Sequence, residues 1–186
     1  EDIAEEITAR FSLTAKDLVV DVGSNDGVFL NGFKKLGIPV LGIDPAPEAA
    51  AIAVSRGIDT FNDFFTQDSA KKLRHERGPA KIILSTNTFA HIDNLDDFVS
   101  GLKIFLDDDG AFIFENPYAI DTLAHTEFDT MYYDHVSYFA IRPLKVLFDR
   151  FGMEIFDVIK TPVHGGSILV FVKKVGGNIH STGEAE

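Results

Sequence analysis

The chain has 186 residues, 45% hydrophobic and 25% charged, the size and balance of one globular domain with a full apolar core. A net charge of −12 argues against the basic face that nucleic acid requires, and Lys and Arg never run beyond a pair, which argues against an anionic membrane surface. The absence of Cys excludes a disulfide framework, a thiolate metal site and a cysteine nucleophile.

No apolar span of about 18 residues and no signal-peptide order occurs, so the cytoplasm is the expected compartment and no membrane contact is predicted. The chain opens on Glu1, not Met, and upstream residues are therefore expected. Ile3, Ile7 and Phe11 fall at helical spacing and predict a leading amphipathic helix. Leu18–Val22 reads as a first strand, and Gly23-Ser24-Asn25-Asp26-Gly27 as a turn into a helix that starts near Asp26. Phe29, Leu30, Phe33 and Leu36 are its inward residues, and Gly37 is its C-terminal stop. A second strand at Val40–Ile43 ends at Asp44-Pro45. Pro47 then suits the first turn of a helix over Glu48–Arg56. A short strand over Ile58–Phe61 and a polar helix over about Gln67–Glu76 follow, and Gly78-Pro79 breaks the chain.

Lys81–Ser85 is a continuous apolar strand, as expected where both sheet faces are covered. A helix over Leu95–Leu106 precedes the turn Asp107-Asp108-Asp109-Gly110 and a strand over Ala111–Glu115. Asn116–Tyr138 lacks a clear period, and a helix over about Pro143–Phe151 comes next. Glu154–Lys160 and Ser167–Lys173 are β-branched runs joined by Thr161–Gly166, a hairpin-like pair. Residues 1–175 form the predicted domain, and 176–186, rich in Gly, Ser and Glu, a disordered tail. This order predicts an α/β fold with a mainly parallel sheet.

In such sheets ligands sit beyond the carboxyl ends of the strands, near the switch in strand order. The glycine spacing there argues against a dinucleotide. Asn25 occupies the position where a pyrophosphate needs backbone to approach closely, and Val28 stands at the third glycine position. Asp21-x-Gly23-x-x-x-Gly27 instead resembles motif I of the class I S-adenosylmethionine (SAM) methyltransferases. Asp21, Gly23, Ser24, Asn25 and Gly27 are the cofactor-loop candidates. Asp44, with Pro45 after it, can accept from two ribose hydroxyls or cap the helix that follows. Asp63 and Phe64 can meet an adenine ring or form a helix-entry turn, and Asn87 can hold the amino-acid end of the cofactor. His91 lies at the mouth of the predicted crevice. Glu127, Tyr132, Tyr133, Asp134, His135 and Tyr138 gather proton-transfer groups in one segment: imidazole as base, carboxylate as orienter, phenol as oxyanion donor.

From Phe11 to Lys173 the chain resembles the central domain of the sugar C-methyltransferases, which methylate nucleotide-linked keto-deoxysugars. The resemblance rests on VDVGSNDG, GIDPAPE, NDFF, NTFAHIDNLDDF, FENPY, EFDTMYYDHVSYF and HGGSILVFV. It implies a doubly wound, Rossmann-like sheet of seven strands in the order 3-2-1-4-5-7-6, the last-numbered strand antiparallel. It implies SAM as cofactor, no metal in this domain, and a sugar or sugar-nucleotide substrate. By the same resemblance His135 is the general base, Tyr132 and Asp134 line the sugar pocket, and His91 is an auxiliary acid or base. Tyr118, Tyr133, His164 and Gly165 are placed on the substrate side, His164-Gly165-Gly166-Ser167 being read as a pocket wall or simply a hairpin turn. Family members carry Glu where this chain has Asp134, and flank this domain with a Cys-rich zinc-binding domain and a further lobe. The chain is therefore expected to be an excised catalytic domain or a reduced relative with another acceptor. An O-methyltransferase and a SAM-binding domain inactive alone are the alternatives. Nothing in the sequence sets an oligomeric state.

Overall fold

The computed structural model describes residues 2–127 and 133–179. Helix α1 (Asp2–Phe11) leads into β1 (Leu18–Val22), α2 (Val28–Lys35), β2 (Val40–Ile43), α3 (Pro47–Ser55), β3 (Thr60–Phe61), α4 (Gln67–Arg77) and β4 (Ala80–Thr86). After a 3-10 turn at Phe89–His91 come α5 (Leu95–Phe105), β5 (Leu106–Pro117), α6 (Ala119–His125) and α7 (Ile141–Arg150). Strand β6 (Met153–Thr161), a 3-10 turn at Val163–Gly165 and β7 (Ser167–Lys174) complete the order. The sheet runs β3-β2-β1-β4-β5-β7-β6, with β1 to β5 parallel and β7 antiparallel to both β5 and β6. The class I methyltransferase topology expected from the sequence is the one observed. Among the described residues no helix is long and apolar enough to cross a membrane.

Alternation along the central strands explains why both sheet faces are covered. Val20, Val22, Ile83, Phe112 and Phe114 pack in one core with Leu73 of α4, Phe98 and Leu102 of α5 and Phe148 of α7. Val19, Ile82, Leu84, Ala111 and Ile113 face the opposite core, with Ile7 of α1, Phe33 of α2 and Ala53 of α3.

Several local expectations change. Helix α2 begins at Val28 with Gly27 as its N-cap, and the carboxylate of Asp26 accepts from Val28 N–H at 3.3 Å while pairing with Arg56 at 2.5 Å. Leu36 is the residue that ends α2, one step past the packed face, and it is 43% exposed rather than inward. Strand β3 keeps only Thr60–Phe61, since its edge position pairs it with β2 alone. The acidic turn Asp107–Gly110 lies inside β5 as a wide irregularity: Ala80 pairs with Leu106 but Ile82 with Ala111. The segment read as irregular contains α6. Gly176–Ile179, expected in the tail, is held by Lys173, whose Nζ donates to the carbonyls of Gly177 and Ile179, and by Asn178 N–H donating to Asp109. Residues 180–186 lie outside the described residues.

Candidate active site

The carboxyl ends of β1, β2 and β4 open on a cavity of about 360 Å³, walled by Val22, Gly23, Ile43, Pro45, Asp63, Phe64, Thr88, His91 and the first turn of α5. The first loop reaches this shape because Gly23 (φ 80°) and Asn25 (φ 49°) take left-handed backbone conformations, which reverse the chain within four residues. Gly23 cannot be replaced in place: a Cβ there would lie 2.1 Å from Thr88 Oγ1. The Thr88 hydroxyl in turn donates to the Thr86 carbonyl at 3.2 Å. Thr88 is a wall residue to which the motif reading gave no role of its own, although its place just beyond the end of β4 put it among the residues at the strand ends.

The acids of this region divide. Asp44, 8% exposed, accepts from Asn25 N–H on Oδ2 and from Ala46 N–H on Oδ1, both at 2.8 Å, so its carboxylate ties the loop after β1 to the turn after β2. Asp44 is not the helix cap of the alternative reading: the N-cap of α3 is Ala46, without a side-chain cap, and Asp44 closes the turn before it. Asn62 secures the same corner by donating to the Asp44 carbonyl. Asp21 is buried with no hydrogen-bond partner on Oδ1 among the described residues. Burial, with the Asp44 charge adding to it, pushes the Asp21 carboxyl up to about 8. Ser24 lies over Gly42, whose missing side chain makes room for its hydroxyl, and does not line the cavity. Asp63 is exposed and accepts from Phe64 N–H, which leaves the Phe64 ring 67% exposed on the rim. Asn87 adopts φ 54° and donates its N–H to the Glu115 carbonyl, linking the ends of β4 and β5.

On the far side of His91 a second group converges. Val136 and Ser137 both donate their N–H to the Ala90 carbonyl, which pins the 133–138 segment to the 3-10 turn after β4. His91 Nδ1 lies 2.7 Å from the Asp134 carbonyl. A carbonyl only accepts, so Nδ1 carries the hydrogen, and neutral His91 has Nε2 as its basic nitrogen. The His91 and His135 rings stand 4.9 Å apart, and Tyr138 meets His135 edge-on at 6.0 Å. The His91 and His135 rings and the Asp134 carbonyl are thus brought together. Tyr133 is not in that group: it is 98% exposed. Tyr132 lies outside the described residues, as does the side chain of His164.

Farther along, Tyr118 N–H donates to the Gly166 carbonyl, and Lys160 lies over the Tyr118 ring at 5.4 Å while pairing with Asp121 at 2.8 Å. Gly165 (φ 75°) lets the Glu127 carboxylate approach so closely that a Cβ there would sit 1.7 Å from Oε2. The glycine pair therefore makes room for Asp121 of α6 and for Glu127, two residues past its end.

The residues present fit a SAM-sized ligand. The cavity has no Lys or Arg among its lining residues and presents the bare backbone of Gly23 in its wall, and the buried Asp21, two positions before Gly23, keeps Oδ1 without a partner among the described residues. The model of the Methyltransferase domain family matches residues 1–158. The C-methyltransferase NovU of Streptomyces niveus is 38% identical over 162 residues, which make up 87% of this chain but 39% of that protein, so the chain spans well under half of this relative's length. A solved SAM-dependent methyltransferase from Anabaena variabilis shares the fold at a TM-score of 0.67 and 17% identity, covering 91% of this chain and 83% of that one. The plantazolicin methyltransferase BpumL, solved with a triazolic desmethylPZN analog and SAH, does so at a TM-score of 0.70 and 14% identity, covering 92% of this chain and 83% of that one.

Proposed function

The chain belongs to the methyltransferase domain family, with SAM as its cofactor, and from that premise we propose that it methylates a carbon atom of a nucleotide-linked keto-deoxysugar. The observation that carries this reading is the His91–His135 pair, anchored through Ala90 and Asp134 at the edge of the cofactor cavity. The 38% identity to a protein named a C-methyltransferase supports it.

Bound SAM supplies an electrophilic methyl group on a sulfonium; the chain's own residues do the rest. The proposed holders of the cofactor are Asp21, Gly23, Ser24, Asn25, Gly27, Asp44, Pro45, Asp63, Phe64 and Asn87. Of these, Gly23, Pro45, Asp63 and Phe64 line the cavity, whereas Asp44 and Ser24 shape the backbone around it. A carbon next to a carbonyl becomes a nucleophile only when its proton is removed and the resulting enolate oxygen is stabilised. His135 is the proposed base, and His91 the partner that relays or holds a proton beside it. Asp134 acts through its backbone, by orienting His91. Tyr132 is the proposed enolate donor, and Tyr118, Tyr133, His164 and Gly165 the sugar-side wall.

The test is incubation with SAM and a nucleotide-linked keto-deoxysugar, followed by NMR of the product. A new methyl group on carbon supports the proposal, and a methyl ether replaces it with the O-methyltransferase reading. A specific observation favours one further reading, that of a SAM-binding domain inactive alone: Tyr133 is 98% exposed on the substrate side, and the chain spans 39% of its relative. SAM binding without methylation by the 186-residue chain, with methylation regained in a longer polypeptide, selects that reading.

A further inference from the structure

The cofactor cavity has unlike walls. Phe64 and Phe65 after β3, with Ile92 and Phe98 around the start of α5, give it the apolar surroundings that suit a purine ring. Two strands along the sheet, beyond the ends of β1 and β4, Thr88 stands against the first loop. A Cβ on Gly23 would meet its Oγ1 at 2.1 Å and its Cγ2 at 2.7 Å. Thr88 also breaks a local rule. Thr at the N-cap of a helical turn ordinarily accepts from a backbone N–H of that turn, yet Thr88, N-cap of the 3-10 turn Phe89–His91, makes no such bond. Its hydroxyl donates backwards to the Thr86 carbonyl at 3.2 Å. A carbonyl only accepts, so the hydroxyl proton is spent there, and Oγ1 meets a ligand as an acceptor. His91, at the end of the same turn, has Nδ1 committed to the Asp134 carbonyl, and no Lys or Arg lines the cavity.

We propose that Thr88 Oγ1 accepts a hydrogen bond from the α-ammonium group of the bound cofactor and so fixes its amino-acid end beside Gly23. SAM carries a purine at one end and an amino acid at the other. With the ring against the phenylalanines, the amino-acid end falls to the Gly23–Thr88 wall, where no side-chain cation competes with it. The inference rests on the SAM reading of the cavity and goes beyond it, because it gives one hydroxyl outside the glycine motif a share in cofactor affinity. Gly23 belongs to the same device, since its missing side chain is what lets Thr88 stand against the loop. The γ-methyl of Thr88 packs on that spot as well, so shape and hydroxyl can be separated by substitution.

Titration calorimetry tests this with SAM, S-adenosylhomocysteine and 5′-methylthioadenosine, which keeps the nucleoside and the thioether but lacks the amino acid. Thr88→Val keeps the branched shape against Gly23 and removes the oxygen. It should weaken SAM and S-adenosylhomocysteine by about tenfold each and leave 5′-methylthioadenosine unchanged. Thr88→Ser keeps the oxygen and loses the methyl, and should bind all three ligands as the unaltered chain does. The ratio between ligands is read within each variant, so it does not depend on how much of that variant is folded. The reverse order, with Thr88→Val normal and Thr88→Ser weakened, makes Thr88 a packing residue and overturns the inference. An equal loss for 5′-methylthioadenosine, a loss confined to SAM, or no loss in Thr88→Val overturns it too. Failure of the unaltered chain to bind SAM overturns the cofactor reading instead, and this inference with it.

Discussion

The two sides of the crevice are built by different means. On the cofactor side the backbone does the shaping: left-handed Gly23 and Asn25, and an Asp44 carboxylate spent on two amides, form a corner that local turn chemistry already specifies. On the substrate side, segments remote in sequence are brought together. Ala90 receives Val136 and Ser137, Tyr118 donates to Gly166, and Ala119 donates to Phe139. A corner made of turns carries stored cost in its buried groups and glycines, whereas a wall made of docked segments carries its chemistry on groups that contribute little to folding. Stability and activity should therefore respond on opposite sides of the crevice.

The largest expected effect belongs to the cofactor side and to pH. Asp21 lies at about 8 in the folded chain against an ordinary 3.8, so the native state binds the extra proton between those values. Its contribution to stability is full below pH about 4 and is lost as pH rises through about 8, with a slope approaching ~1.4 kcal/mol per pH unit at most. Denaturant unfolding across that range should show the decline, and Asp21→Asn should flatten it.

Phe89→Ala tests the element both sides share. Phe89 is fully buried, with its ring centroid 4.6 Å from that of Phe114, 4.9 Å from Phe139 and 5.5 Å from Phe98. Its removal should cost about 3–5 kcal/mol in unfolding free energy. It should also loosen the Phe139 attachment, seen as faster amide exchange around Ala119, whose N–H donates to the Phe139 carbonyl. Gly23→Ala adds a side chain into Thr88 at a left-handed φ; a loss of about 1–3 kcal/mol and strongly weakened SAM binding are expected by thermal melting and calorimetry. If SAM binding survives intact, the loop does not cradle the cofactor.

The smallest effect on folding should come from the substrate side. His135→Asn is expected to leave the melting temperature and SAM affinity unchanged while methyl transfer falls by about 10²–10⁴-fold. A comparable fall in stability would place His135 in the scaffold and erase the contrast between the two walls.

Local pattern located β1, β2, β4, α4, α5 and the β6–β7 pair to within a few residues: the strands and α5 are apolar or β-branched runs, and the polar α4 is marked off by the Gly78-Pro79 break. It failed where a contact outweighed the local pattern. Asp107–Gly110 has turn composition, yet it is taken into β5 beside β4, and α6 is hidden in a stretch of mixed aromatic and polar residues that only its docking against Gly165 and Gly166 organises. Of the residues singled out from their places after strands, Gly23, Phe64 and His91 line the cavity, whereas Asp21 and Asp44 do not. The contact of Thr88 with Gly23 was not legible, since it joins the ends of two separate strands.

The amino-acid order by itself determined the alternation of strands and helices and the turn at Gly23–Gly27. Apolar period and glycine conformations are properties of a few neighbouring residues. Only the tertiary structure decided that Asp44 closes on Asn25 nineteen positions away, and that His91 takes its tautomer from a carbonyl forty-three positions on. Those outcomes depend on which strand ends the sheet sets side by side, and hydrogen bonds between them form only once the two cores have closed around it.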